Sequence, residues 1–169
     1  MKAKESSRKT FILPKRLEEK IRQKAEEGGE LTEELVVELL QQSLGEELDP
    51  GELVEHYEAL GDFFLQDAKE LLSQRNRVQA SEKLWGAAAL TLKAIAAKRG
   101  LKLEKHGSLW TFLNTLAQES RDKEFIRLFN IANALHRNFY EDEMPMEAVE
   151  ISAGDIERLI AKLKGILRE

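Results

Sequence analysis

Apolar residues recur at helical spacing along most of the chain, and the most regular stretch lies in its middle. Within residues 79–99, Leu84, Ala88, Leu92 and Ile95 stand at i, i+4, i+8 and i+11, which is one face of an α-helix. Residues 86–89 are one glycine and three alanines, whose small side chains let neighbouring helices approach closely. This pattern predicts the central helix of a bundle, contacted from more than one side.

The chain beyond residue 48 contains four further helical patterns joined by short connections. Asp49 before Pro50 predicts a helix start, with Asp as the N-cap and Pro in the first turn. Short connections favour antiparallel neighbours, so the predicted fold class is all-α, an up-and-down helical bundle over residues 49–169. The other predicted starts are Ser108 for a short helix, Ser120 or Arg121 for the next, and Ser152, with Asp155 three residues on, for the last.

Residues 1–48 are predicted to form a separate N-terminal domain, a two-helix extension of the bundle. A possible short strand over residues 8–14 ends at Pro14, a helix follows to the Gly28–Gly29 pair, and Thr32 is the predicted N-cap of a second helix ending near Gly45. This order weakly resembles the ribbon-helix-helix arrangement of small DNA-binding dimers. Ile12 occupies a position that is usually polar or basic in that family. We therefore favour a helical hairpin, with a strand that could dimerise, over a DNA reader.

Composition excludes several classes of protein. The 169 residues are 42% hydrophobic and 34% charged, which is typical of a folded helical protein. There is no cysteine, so disulfides and thiolate zinc sites are excluded. No apolar run approaches the roughly 20 residues that span a bilayer, so no membrane partner is predicted. The N-terminus lacks the apolar core of a signal peptide, so we expect a cytoplasmic protein. Abundant Glu, Lys and Arg are compatible with a thermophile.

Charge is distributed unevenly along the chain. Residues 1–24 carry nine Lys or Arg against three acids, whereas residues 25–60 carry twelve acids and no Lys or Arg. A basic arm attracts phosphates, and an acidic segment repels polyanions. Attraction between the two segments explains the pattern as well as nucleic-acid binding does, so both interpretations stay open.

Motifs for phosphate loops, nucleophile elbows and zinc helices are absent, and one helix face provides the most suggestive chemistry. Asn133, His136, Arg137 and Tyr140 lie at i, i+3, i+4 and i+7 and therefore share a face. Arg and His beside aromatic rings are groups that bind a phosphate or a nucleobase. The alternative interpretation is a polar rim that covers the core of the bundle.

Three motifs carry a resemblance to a known family: residues 79–89 (QASEKLWGAAA), 106–110 (HGSLW) and 135–141 (LHRNFYE). Over about residues 49–169 the chain resembles the archaeal PaREP family. That family is regarded as a branch of the HEPN helical bundles, which include nucleotide-binding proteins and ribonuclease toxins. The resemblance implies a HEPN-like bundle that forms a homodimer, with a polar site near the pairing cleft.

The resemblance and the polar face together predict a non-catalytic nucleotide- or RNA-binding module without metal or cofactor. One alternative is a metal-independent ribonuclease, although eight residues separate Arg127 from His136, more than the HEPN ribonucleases have between their Arg and His. The other is a structural or partner-binding protein that recruits a partner, or less readily DNA, through its N-terminal hairpin. The predicted ligand-binding residues are Asn133, His136, Arg137, Asn138 and Tyr140, with Glu82, Lys83 and Trp85 from the central helix.

Overall fold

The computed structural model describes residues 9–103 and 106–169, which contain seven α-helices and no strand. The fold is all-α, as predicted. Contacts divide the chain into two compact units, one ending at Glu46 and one running from Glu47 to Glu169. The helices are α1 (Lys15–Gly28), α2 (Thr32–Leu44), α3 (Pro50–Ser73), α4 (Arg77–Lys98), α5 (His106–Ser120), α6 (Glu124–Glu141) and α7 (Met146–Leu167).

The first unit is a helical hairpin, in which α1 packs on α2. The strand predicted over residues 8–14 is not formed in residues 9–14, which have neither helical nor strand structure, and Arg8 lies outside the described residues. A strand requires a partner strand for its hydrogen bonds, and the described part of this chain offers none. The N-cap of α2 is Leu31 rather than Thr32. The Leu31 N–H donates to Glu34 Oε2 at 3.4 Å, which places Thr32 inside the first turn.

The second unit begins with a capped helix. Asp49 Oδ1 accepts from the Glu52 N–H at 2.9 Å, and Glu52 Oε2 accepts from the Asp49 N–H at 2.9 Å. Pro50 is the first helical residue, where its missing N–H costs nothing. The predicted helix start at Asp49 is therefore confirmed.

The central position predicted for the alanine-rich helix is confirmed. Fifteen of the 22 residues of α4 are buried, and α4 contacts α3, α5, α6 and α7. Its small residues allow this, because Gly86 and the alanines beside it let neighbouring helices approach on several sides. The helix is followed by Gly100 in the left-handed conformation (φ 72°).

Contacts at the two ends of the bundle fix the helix directions. Lys83 meets Asp67 while Thr91 lies against Gly61, so α3 and α4 are antiparallel. Arg77, at the start of α4, bonds to the connection just before α7. Lys98, at the end of α4, donates to the Leu167 carbonyl at 2.6 Å, so α4 and α7 run parallel. With α6 antiparallel to α7, the four long helices alternate in direction around the core.

The helices α5 and α6 do not begin at the predicted residues. Ser120 does not begin a helix. It is the last residue of α5, and its hydroxyl donates to the Leu116 carbonyl at 2.6 Å. Arg121 follows in the left-handed conformation (φ 54°), and Asp122 Oδ1 accepts from the Glu124 N–H at 3.0 Å. The helix α6 therefore begins at Glu124. The preceding helix begins at His106, two residues before the predicted Ser108.

The last helix begins six residues earlier than predicted. Ser152 and Asp155 look like a capping box in the sequence, but Ser152 lies inside α7 and is buried. The N-cap is Pro145, whose extended backbone (ψ 160°) leads into the first turn at Met146. None of the described helices is both long and apolar enough to cross a membrane.

Candidate functional site

An imidazole and an indole stack where α6 crosses the first half of α4. The ring centroids of His136 and Trp85 are 4.0 Å apart, with 24° between the ring planes. His136 Nδ1 lies 3.0 Å from Glu82 Oε2. Glu82 precedes Trp85 by three residues, so both side chains project from one face of α4. The imidazole is therefore held on its face by the indole and at one nitrogen by a carboxylate.

Tyr140 supplies the exposed aromatic ring of this cluster. It stands one turn after His136 and meets the imidazole edge to face, with centroids 5.4 Å apart. Tyr140 is 59% exposed, whereas Trp85 is only 4% exposed. An aromatic ligand can therefore reach the phenol ring, while the indole belongs to the core.

Arg137 lies next to His136 in sequence but is directed differently. Successive residues of a helix point about 100° apart, and the Arg137 side chain is 66% exposed. Its Nε lies 3.6 Å from Glu141 Oε2, one turn along the same helix. The guanidinium is thus an exposed cation at the rim of the cluster.

Asn138 and Asn133 are engaged within the fold. Asn138 is 2% exposed; its Nδ2 donates to Ser81 Oγ at 2.9 Å, and its Oδ1 accepts from the Met144 N–H at 2.7 Å. Asn133 Nδ2 donates to the Phe129 carbonyl of its own helix at 2.8 Å. The structure does not bring these two amides to the imidazole.

Lys83 lies on the side of α4 that faces α3. Its ammonium is 3.4 Å from Asp67 Oδ2 and 4.1 Å from the centroid of the Phe64 ring. It is separated from Glu82 by one residue step, so it contributes positive charge beside the cluster rather than inside it.

Sequence reasoning missed Arg77 and Ser81, which join the first turns of α4 to each other and to the connection between α6 and α7. Ser81 Oγ donates to the Arg77 carbonyl at 2.7 Å, and Arg77 Nε donates to the Met144 carbonyl at 3.0 Å. Arg77 also pairs with Asp142 at 2.6 Å. The contacts of the Arg77 side chain with Met144 and Asp142 join positions 67 and 65 residues apart, and no local spacing in the sequence could indicate them.

The cluster combines a carboxylate acceptor, an oriented imidazole and an exposed phenol, with cations at its edge. Three cations of this region each have a carboxylate neighbour: Lys83 with Asp67, Arg77 with Asp142 and Arg137 with Glu141. A bare polyphosphate would therefore gain little here. A ligand that presents a flat ring, a hydrogen-bonding edge and one anionic group matches the arrangement better.

Comparisons with known proteins give a family and a similar fold. A protein from Sulfolobus solfataricus whose crystal structure is known superposes on this chain with a TM-score of 0.57 and 25% sequence identity, covering 63% of this chain and 95% of that one. No curated protein matches the sequence. Residues 56–160 match the model of the archaeal PaREP1/PaREP8 family, and the chain belongs to that family.

Proposed function

We propose that this member of the archaeal PaREP1/PaREP8 family is a non-catalytic module that binds a nucleotide or an RNA end. The observation that supports it is the Glu82–His136–Trp85 stack, because it holds an imidazole in one orientation beside an exposed tyrosine. The alternating helices of the second unit also support a HEPN-like bundle over residues 49–169. The proposal takes residues 1–48 as a second domain and a homodimer as the working form.

The proposal assigns a role to each group. The base stacks on Tyr140, an interaction that contributes about 1–3 kcal/mol per base in proteins that bind single strands. The polar edge of the base meets Glu82 and the imidazole of His136, whose Nδ1 already faces Glu82. Arg137 binds the phosphate. Its present contact with Glu141 is an exposed i,i+4 pair, worth only about 0.3–0.5 kcal/mol, so a phosphate displaces it readily.

Ribonuclease activity is the less favoured function, because neither Arg127 nor Arg137, the arginines nearest to His136 in the sequence, is placed beside the imidazole as a HEPN ribonuclease would need. Arg127 is exposed and stands nine residues before His136, about 13.5 Å along the helix axis at 1.5 Å per residue. Arg137 is turned toward Glu141. Incubating the purified protein with structured and unstructured RNA tests this directly. If the wild type cleaves RNA and His136→Ala does not, the protein is a ribonuclease rather than a non-catalytic binding module.

Thermal unfolding in the presence of nucleotides tests the binding proposal. A ligand at 100 times its Kd stabilises the folded state by about 2.7 kcal/mol. For a domain of this size that corresponds to a rise in Tm of about 5–10 °C. We expect such a rise for at least one member of a panel of nucleoside mono-, di- and triphosphates and short RNAs.

Variants locate the effect. Arg137→Ala and Tyr140→Ala should each remove most of the nucleotide-dependent rise while leaving the Tm without ligand nearly unchanged, because both side chains are exposed. Arg168→Ala, an exposed arginine at the opposite end of the bundle, is the matched control and should respond like the wild type. A wild type whose Tm no panel member raises would contradict the proposal.

A further inference from the structure

The cluster of Glu82, Trp85, His136 and Tyr140 presents hydrogen-bond acceptors at its polar edge. An ionised carboxylate has acceptor oxygens and no donor. Glu82 Oε2 lies 3.0 Å from His136 Nδ1, so in this pair the imidazole donates and the carboxylate accepts. When Nδ1 of a neutral imidazole carries the hydrogen, Nε2 is an acceptor too. Both groups therefore favour a ligand that donates.

Ligands have access to these acceptors. The side chains of His136 and Glu82 are 18% and 21% accessible to solvent, and Tyr140 is 59% exposed. A carboxylate has about four lone-pair sites for hydrogen bonds, and the contact with His136 occupies one of them. Because the pair is partly buried, less water competes for its oxygens, and a donor that reaches them forms a stronger bond than it would on the open surface.

The orientation of Tyr140 separates stacking from hydrogen bonding. The planes of the Tyr140 and His136 rings are 88° apart. A base that stacks on the phenol lies parallel to it and is therefore nearly perpendicular to the imidazole. It cannot stack on both rings, so the Glu82–His136 pair is left to recognise the polar edge of the base.

The four RNA bases differ in the donors that their pairing edges offer. Guanine has two adjacent donors, N1–H and the 2-amino group. Adenine and cytosine each have one amino donor beside a ring-nitrogen acceptor, and uracil has one N–H between two carbonyl acceptors. An acceptor turned toward the carboxylate brings lone pairs together and leaves a polar group without a partner. Guanine alone offers two donors side by side without that conflict.

We propose that this cluster selects guanine, with the N1–H and 2-amino groups donating to the Glu82 carboxylate while Tyr140 stacks on the base and Arg137 binds a 5′-phosphate. The inference rests on the proposed function, because it names the base that the same site binds. A single phosphate suffices, since Lys83 and Arg77 have carboxylate neighbours of their own. Guanosine monophosphate and an unpaired 5′-phosphorylated guanosine at an RNA end share this chemistry.

Calorimetric titration of the full-length protein with the common nucleoside monophosphates is the first test. Guanosine monophosphate should bind most tightly. Inosine monophosphate keeps N1–H but lacks the 2-amino group, so its Kd should be about 10- to 100-fold higher, the loss expected for one hydrogen bond to a charged group. The adenosine, cytidine and uridine monophosphates should bind at least as weakly as inosine monophosphate.

The variant Glu82→Gln tests the carboxylate itself. Its amide oxygen still accepts from His136 Nδ1, but an amide N–H replaces the second acceptor oxygen. Xanthosine monophosphate has a carbonyl at C2 where guanosine monophosphate has the amino group, so the new N–H matches it. The ratio of the xanthosine Kd to the guanosine Kd should therefore fall by at least about 10-fold in Glu82→Gln. A change in this ratio reports recognition of the base, which a general loss of stability would not alter.

The matched control is Glu150→Gln, the same substitution at an exposed position of α7, and it should keep the base preference of the wild type. Circular dichroism verifies that both variants keep their helices. A short RNA with an unpaired 5′-phosphorylated guanosine, compared with guanosine monophosphate, identifies the source of the ligand. Tighter binding of the RNA supports an RNA end, and tighter binding of the mononucleotide supports a free nucleotide.

The outcomes separate this inference from the binding function on which it rests. Equal dissociation constants for the guanosine and adenosine monophosphates, or a guanine preference that Glu82→Gln leaves unchanged, would overturn the selection of guanine while nucleotide binding stands. If no nucleotide or RNA of the panel binds the wild type, both the binding function and the selection of guanine are wrong.

Discussion

At the scale of single residues, Asn138 shows how a polar side chain beside a functional group can have a structural role. Its amide donates to Ser81 Oγ on α4 and accepts from the Met144 N–H in the connection that leads to α7. One buried side chain thus joins two helices and a turn. Such an arrangement is stable only while every member has its partner.

Replacing Asn138 by alanine should therefore destabilise the bundle. The change leaves the Met144 N–H without its acceptor and removes the donor to Ser81, and each lost buried hydrogen bond costs about 1–3 kcal/mol. We expect a loss of roughly 2–4 kcal/mol in the free energy of unfolding by chemical denaturation. Asn130→Ala, an exposed position of the same helix, is the control and should change stability by less than about 0.5 kcal/mol. Equal effects at both positions would show that the Asn138 contacts contribute little.

The polar face of α6 illustrates what helical spacing can and cannot predict. Spacing places Asn133, His136 and Tyr140 along one side of the helix, and the edge-to-face contact of the last two agrees with that. It does not indicate that Arg137 turns toward Glu141 or that Asn133 bonds to its own helix. Those outcomes depend on what lies opposite each side chain, which is tertiary information.

At the scale of helices, the ends were predictable where glycine marks them. The structure has Gly29, Gly45 and Gly100 in the left-handed conformation directly after α1, after α2 and at the end of α4. Arg121 and Asp142 adopt the same conformation after α5 and α6, although neither is a residue type that signals a helix end as glycine does. The starts predicted for the following helices, α6 and α7, were accordingly wrong.

Two glycines of the second unit should respond in opposite ways to alanine. Gly154 lies inside α7, and a Cβ added there meets nothing within 4 Å, so Gly154→Ala should stabilise by about 0.5–1 kcal/mol through helix propensity. Gly100 has φ 72°, where alanine is strained, so Gly100→Ala should destabilise by about 1–2 kcal/mol. Denaturant unfolding of the two variants beside the wild type checks both signs. Stabilisation by Gly100→Ala would contradict the role of that residue in ending α4.

At the scale of the whole molecule, the sequence predicted the helices of the second unit better than the polar contacts that join them. The alanine-rich pattern of residues 79–99 predicted a central helix, since only small residues permit neighbours on several sides. The contacts that close the bundle join residues far apart in sequence, as Lys98 and Leu167 do at one end. Periodicity identifies which face of a helix is apolar, but it does not identify the partner of a charge at the edge of that face.

One group of such contacts lies where α7 passes the connection between α5 and α6, and it centres on Lys162. Lys162 Nζ is 2.5 Å from Asp122 Oδ2 and 3.1 Å from Glu124 Oε2, and it lies 5.1 Å from the centroid of the Phe125 ring. The hydrogen bond from Lys162, followed by the one from the Glu124 N–H, lowers the pKa of Asp122 below its ordinary value. The bond to Asp122 likewise raises the pKa of Lys162 above its ordinary value.

These shifts predict how the stability of the second unit depends on pH. Because the pKa of Asp122 is lower in the folded protein, its contribution is complete above the unfolded value of about 3.9 and is lost as the pH falls through the folded value. The contribution of Lys162, whose pKa is raised, is complete below about pH 10.4 and is lost as the pH rises through the folded value. The Tm difference between the wild type and Asp122→Asn should therefore be constant near neutral pH and shrink in acid. Glu150→Gln, an exposed carboxylate of α7, is the control, and its difference from the wild type should stay small throughout. If the Tm difference between the wild type and Asp122→Asn were as large at pH 3 as at pH 7, the ion pair of Lys162 with Asp122 would not stabilise the packing of α7 here.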